Sequence, residues 1–252
     1  MRELSMNSAK EALRYKDEKS DKFWRIEYAG NTLAVNHGKT GTIGKYLLKE
    51  FDTEGDCEKE AGKLIASKIK KGYMPYPEFD MDNHIYIDDD EIGLHPLTSH
   101  PKYRAFFNNE LYYCCVTEWA PFGSDEGDIS LYEFCEEIRK QKGSFDMAAF
   151  IKSIIDVYDS WDVPLPVENI TKESFLSEEL DLNNIFICDV TAYATAFAQI
   201  KTTGRLDAEL KKMALNAMKR RKIAAEILEW GEKPIKDLMT MIEDLTKFEA
   251  TI

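Results

Sequence analysis

An α+β fold is predicted for this 252-residue chain: a small antiparallel sheet with one helix, followed by an α-helical domain. Three observations predict it. Residues 22–51 hold short alternating runs of apolar residues separated by glycine-containing turns. Residues 53–72 hold a capped helical pattern closed by a glycine, and beyond residue 102 the dominant signal is apolar spacing of the helical kind.

Taken in order, Trp24-Ile26-Tyr28 and Leu33-Val35 alternate as two strands joined by Ala29-Gly30-Asn31-Thr32, and a third run covers residues 46–51. Antiparallel strand is expected over most of residues 13–51. Thr53, with Asp56 three residues on, signals a helix start, and Gly72 ends the periodic segment, so a helix is expected over 56–71. Trp24, Ile26, Leu64 and Ile65 are the expected first core. Residues 102–117 are rich in aromatics and read as helix or strand. A turn-rich loop over 119–128 leads into a helix starting near Ser130. Ser144 is the expected cap of a helix over 146–158, with Met147, Ile151, Ile154, Ile155 and Tyr158 on one face. Asn183 or Asn184 opens a helix over 185–200 that is apolar nearly all round, as a central buried helix is. Helices over 206–230 and 234–248, divided by Gly231, complete a set of four to six, with Pro234 at the first position of the last one.

The domain reading that follows is 1–73 (core 13–73), an acidic proline-containing linker over 74–101, and an α-helical domain over 102–252. The linker prolines Pro75 and Pro77 resist regular structure, and acidic Asp88-Asp89-Asp90-Glu91 suits solvent. Its many apolar residues, among them Tyr76, Phe79, Ile85 and Tyr86, nonetheless predict that the two modules pack together.

The opening Lys22-Phe23-Trp24, the central Gly38-Lys39-Thr40-Gly41-Thr42-Ile43-Gly44, the helical Glu60-Ala61 and the closing Lys68-Ile69-Lys70-Lys71-Gly72-Tyr73 occur in an order and spacing that resemble the WGR domain. That domain is found in poly(ADP-ribose) polymerases and in bacterial proteins labelled molybdate-metabolism regulators. The resemblance covers about a quarter of the chain, roughly residues 13–73, and implies a DNA contact. In the polymerases the Trp stacks on an exposed strand end and the Arg meets the backbone. Here the Trp-Gly-Arg signature is replaced by His37-Gly38-Lys39. A histidine retains a stacking surface and a lysine neutralises a phosphate, but as a point charge rather than a fixed fork.

Charge bears on this reading. The chain carries −13 overall, which argues against broad affinity for polyanions. Residues 22–73 hold 10 basic and 7 acidic residues, a balance of +3, whereas residues 74–200 hold 7 and 25, a balance of −18. Residues 201–252 return to +2 with 11 basic and 9 acidic. The expected DNA-binding set is therefore His37, Lys39, Lys45, Lys68, Lys70 and Lys71. A helix C-terminus that favours cations explains the last three equally well.

Other chemistry finds little support. Gly38-Lys39-Thr40 resembles the end of a phosphate-binding loop, but Leu33 stands where that motif needs glycine, and the segment does not open a helix. No Gly-x-Ser-x-Gly elbow or His-Glu-x-x-His occurs, and no catalytic constellation, cofactor motif or ordered metal spacing is found, even with His84, His95 and His100 near acids. The five cysteines form no Cys-x-x-Cys pair and point to a reducing cytoplasm, and no apolar run is long enough to cross a membrane. Asp125, Glu126 and Asp128 read as favouring a helix N-terminus, with cation or partner binding as the alternative. Asp189, among apolar neighbours, reads as a staple paired with Lys201, Arg205 or one of residues 219–222, with a functional carboxylate as the alternative. Two readings of the whole stand: a non-enzymatic DNA-binding, regulator-like protein, or an interaction protein whose acidic helical domain holds a protein partner with no nucleic-acid contact.

Overall fold

The computed structural model describes residues 8–89, 91–141, 145–177 and 181–249. The fold is α+β. Strands β1 (Ala9–Lys16), β2 (Asp21–Ala29), β3 (Thr32–Lys39) and β4 (Lys45–Glu50) form an antiparallel meander, and β5 (Met74–Pro75) adds to the outer edge of β1, giving the order β4-β3-β2-β1-β5. Helix α1 (Glu54–Lys70) crosses one face of the sheet. Thr53 caps it by accepting the backbone N–H of Asp56. Alternation sends Leu13, Trp24, Ile26, Leu33 and Val35 under α1, where they meet Cys57 and Ala61, with Leu64 and Ile65 packed at the margin.

The opposite face carries Phe23, Arg25, Glu27, Asn36 and Tyr46, all buried. It is covered by the buried and half-buried residues of segments 76–89 and 91–101, although their composition suggests a solvated connection. Tyr86, Leu97 and His100 are 0% exposed. Tyr46 donates to Ile85 O at 3.0 Å, and the backbone N–H groups of Tyr86 and His100 donate to Thr202 O and Lys201 O. Two of the acids there are spent on internal partners. Asp88 pairs with buried Lys201 at 2.7 Å, and Asp89 accepts the backbone N–H of Leu48 on β4. Arg104 reaches back across the interface to Glu27, which also pairs with Arg25. The modules thus share a packed, charged boundary.

The helical part is built from α2 (Pro101–Phe106), α3 (Asp125–Lys140), α4 (Met147–Ser160), α5 (Lys172–Ser177), α6 (Leu182–Thr203), α7 (Ala208–Ile227) and α8 (Glu232–Lys247). That is seven helices among the described residues rather than four to six, because α2 and α5 are too short to leave a periodic signal. Residues 102–117 resolve into α2 and a 3-10 turn at Glu110–Tyr113. Helix α3 starts at Asp125, not near Ser130, because Ser124 accepts from Gly127 N and the acids fill the first turn. Ser144 lies outside the described residues, and the cap of α4 is Asp146. Helix α6 is capped by Asp181, two to three residues before the asparagines expected, and α8 opens at Glu232, leaving Pro234 inside its first turn. As expected, α6 is the central helix, buried along almost all of its length.

Asp189 on α6 is fully buried and pairs with Arg220 of α7: Nη2 lies 2.7 Å from Oδ1, and Nε 3.0 Å from Oδ2. Lys201 pairs instead with Asp88, and Arg205 donates to Asn83. Burial pushes the Asp189 carboxyl up from the ordinary carboxylate value, with Arg220 opposing it, while the carboxylate holds the Arg220 guanidinium charged.

Candidate nucleic-acid interface

Cross-strand register assembles the basic face. Lys22 opposes Lys39 and Trp24 opposes His37 across β2 and β3, and His37 opposes Lys45 across β3 and β4. Side chains alternate along a strand, so Lys22, Trp24, His37, Lys39 and Lys45 project from the face that α1 covers. The end of α1 completes the group. Lys68 Nζ sits 5.4 Å from the Trp24 ring centroid and 5.1 Å from that of Tyr73, held between two aromatic rings. Trp24 is buried, so its role in the opening Lys22-Phe23-Trp24 is to floor this cradle and the core together.

The charges feel one another. Burial lowers the pKa of His37, and Lys68 and Lys45 lower it further, so the imidazole is neutral near pH 7. Its Nδ1 is buried without a hydrogen-bond partner among the described residues. Burial likewise lowers the pKa of Lys68, with Lys71 and Lys22 adding to the effect. None of Lys22, Lys39, Lys45, Lys68 and Lys71 forms a salt bridge among the described residues, in contrast to Lys63, which pairs with Glu60 on the same helix. Like charges held together outside salt bridges raise the local potential and favour an anion.

Of the six residues expected from sequence, the fold therefore gathers His37, Lys39, Lys45, Lys68 and Lys71. Lys70 does not join them: at about 100° per residue it lies roughly 200° round the helix from Lys68. Lys22 is the member that sequence reading missed. Its signal was available, since it shares the alternation phase of Trp24, but only the register shows it opposite Lys39.

Gly38 and Gly44 let the segment between Lys39 and Lys45 fold back on β3. A Cβ on Gly38 would lie 2.8 Å from Gly44 Cα, and one on Gly44 would lie 2.8 Å from His37 O; Gly44 also has a φ of +76°. Asn36 Nδ2 donates to Ile43 O at 3.1 Å and to Lys45 O at 3.3 Å. Asn36 Oδ1, an acceptor only, takes a hydrogen bond from His84 Nε2 at 2.8 Å. Burial depresses the pKa of His84 to about 3, consistent with a neutral donor. His95 and His100 are likewise neutral through burial, each accepting a backbone N–H as a cap. Among the described residues no group of three or more His, Cys, Asp or Glu is placed to hold a metal ion.

The loop before α3 serves packing. A Cβ on Gly123 would meet Thr117 O at 2.0 Å, and Trp119 Nε1 donates to Asp237 of α8 at 2.8 Å. All five cysteines are free, and no helix of the described residues is long and apolar enough to cross a membrane.

Comparison with known proteins accords with this geometry. The model of the WGR domain matches residues 9–80. The Escherichia coli K12 protein YfeS, described as uncharacterized, is 46% identical over 239 residues, 93% of this chain and 96% of its own. The protein YehF of the same organism is 47% identical over 60 residues, 24% of this chain and 22% of its own. A Bacteroides fragilis protein of known crystal structure is 28% identical and covers 52% of this chain and 40% of its own, with a TM-score of 0.28, too low to imply a shared arrangement. With a WGR domain in its N-terminal part and a relative so similar over nearly its whole length, the chain belongs to the WGR-domain proteins, in the same family as YfeS.

Proposed function

We propose that this is a non-enzymatic, DNA-binding protein of regulatory type, working in the cytoplasm, whose contact surface is the lysine-ringed face around His37. The observation that carries the reading is the Lys68 ammonium held between Trp24 and Tyr73 beside a neutral His37, with Lys22, Lys39, Lys45 and Lys71 around it and none of them in a salt bridge among the described residues. The lysines meet phosphates, which carry no base information, and His37 offers a ring to an exposed strand end. The acidic balance of residues 74–200 confines contact to this face.

Fluorescence anisotropy with blunt, nicked and single-stranded oligonucleotides tests this. Three to five phosphate contacts correspond to a loss of affinity of roughly 40- to 500-fold between 50 and 200 mM salt. Absence of binding to all three at about 50 mM salt, where phosphate contacts are strongest, overturns the reading. The second reading, a protein partner on the acidic helical region, is favoured by one feature. Ile129 and Tyr132, 53% and 64% exposed, stand one turn apart on α3 among Glu126, Glu133 and Glu136. Saturable DNA binding that survives charge reversal on α3 but not on β3 separates the two.

A further inference from the structure

On the sheet face away from the lysines, a cleft of 840 Å³ opens between the glycine loop of residues 40–44, residues 76–85 and the last turn of α3. Its volume lies in the range of small-molecule sites, and it sits where two modules meet, a usual place for them. Four rings line it. Phe79 lies 5.4 Å from Phe23, 4.9 Å from His84 and 5.9 Å from Tyr76, measured between ring centroids. Phe23 is buried and forms the floor, while Tyr76 and Phe79 are half-buried.

Two carboxylates join the rings. Asp80 is fixed by two hydrogen bonds from Asn83, at 2.7 and 3.1 Å. Glu78 is exposed and forms no salt bridge among the described residues. The basic side chain of the lining, Arg139, is paired with Glu136. Aromatic faces beside carboxylates are the chemistry that holds ammonium groups. One such contact already exists at the margin, where the Arg14 guanidinium carbon lies 5.0 Å from the Tyr76 centroid.

We propose that this cleft is a binding site for a small organic cation with an apolar body, such as a quaternary ammonium compound. The ring system takes the apolar part, and Glu78 with Asp80 supplies the countercharge. The occupant touches the reverse side of the loop whose ends carry Lys39 and Lys45, so binding is felt by the backbone of residues 40–44. This site does not depend on the DNA-binding reading and is tested without nucleic acid.

The test is an NMR titration of the intact protein with benzyltrimethylammonium, with choline and its neutral isostere 3,3-dimethylbutanol as a matched pair and phenylacetate as the anionic control. The expected result is saturable shifts at the amides of Gly41, Thr42 and Gly44. Choline should bind about 2- to 30-fold more tightly than the neutral isostere, the range of cation–π contacts. Glu78→Gln, at an exposed position, and Phe79→Ala should each weaken benzyltrimethylammonium binding by a factor in that range. The proposal is overturned if the loop amides do not shift up to tens of millimolar probe. It is equally overturned if phenylacetate or the neutral isostere binds as well as its cationic counterpart, or if Glu78→Gln changes nothing.

Discussion

Replacing Arg220 with methionine should destabilise this protein severely while leaving its surface unchanged. The arginine is 2% exposed, and removing it strips the fully buried Asp189 of a two-pronged partner. It also leaves Pro164 O without the Nη1 donor that lies 2.6 Å away. Tyr158 Oη, 3.4 Å from Asp189 Oδ1, is too distant to compensate. Breaking a buried pair from one side costs about 3–5 kcal/mol. At roughly 2–4 °C per kcal/mol for a chain of this size, the melting temperature falls by about 6–20 °C. Thermal unfolding followed by circular dichroism measures the shift, and urea unfolding the free energy.

The double variant Asp189→Leu/Arg220→Met should be less destabilised than Arg220→Met alone, because it removes the stranded charge as well as its partner. The pH dependence gives a further check. Without Arg220, burial raises the folded-state pKa of Asp189 still more, so the folded state binds a proton that the unfolded state has released. Stability then falls as pH rises through that interval, and the deficit against wild type should be smaller at pH 5 than at pH 8. Strict additivity of the two substitutions, or a single-variant loss under about 1 kcal/mol, would refute the staple. Unchanged stability with lost DNA binding would assign Asp189 to function instead.

Four further outcomes are expected. Gly204→Ala should destabilise by about 1–3 kcal/mol in thermal melts, since φ is +67° and the new Cβ would lie 2.1 Å from the His100 ring. Burial holds His84 at a pKa of about 3 and His100 at about 4, so each contributes stability present above the unfolded value of 6.5 and lost as pH falls towards the folded one. At about 1.4 kcal/mol per unit, each costs roughly 2 kcal/mol by pH 5; His84→Gln should flatten the acid limb of a stability–pH profile, and an unchanged limb counts against a buried neutral His84. Lys39→Glu should weaken all DNA sequences alike and reduce the salt slope by at least about 0.9, the share of one phosphate, in anisotropy titrations across salt. A phosphate beside His37 raises its depressed pKa, so affinity should increase from pH 8 to pH 6, and that gain should vanish in His37→Ala along with the preference for strand ends.

The legibility of this fold followed signal length. Strand alternation, the Thr53 cap and the Gly72 stop are local, and each maps onto the element it predicts. In residues 76–89 the apolar residues foretold the packing, but the acids did not: acidic composition is ordinarily solvated, whereas Asp88 and Asp89 are spent on Lys201 and the Leu48 N–H, partners 113 and 41 residues away. The caps at Asp146, Asp181 and Ser124 were missed for a smaller reason. Several Ser, Asp and Asn residues cluster at each helix start, and only backbone geometry selects among them. The basic face was legible by charge, yet Lys22 and the exclusion of Lys70 required register and helical phase.

The same alternation imposes a division of labour on the sheet. Along β3, His37 and Lys39 face α1 and the lysine cluster, while Asn36 between Val35 and His37 faces the helical part and meets His84. Trp24 and Arg25 divide in the same way on β2, one flooring the Lys68 cradle and the other pairing with Glu27 at the boundary with Arg104. Each strand therefore carries the proposed DNA surface on one side and the joint with the helical part on the other, a backbone's width apart. Because a one-residue slip would exchange the two faces, the buried pairs around Glu27 and the Asn36–His84 bond also fix the register that gathers the lysines. A disturbance of the joint is then felt first at the loop of residues 40–44, whose carbonyl at Ile43 rests on Asn36. Hydrogen exchange at Gly41 and Gly44 in Arg104→Met should therefore rise before any change at the buried centre of α6; equal protection at both places would show that the two faces are independent.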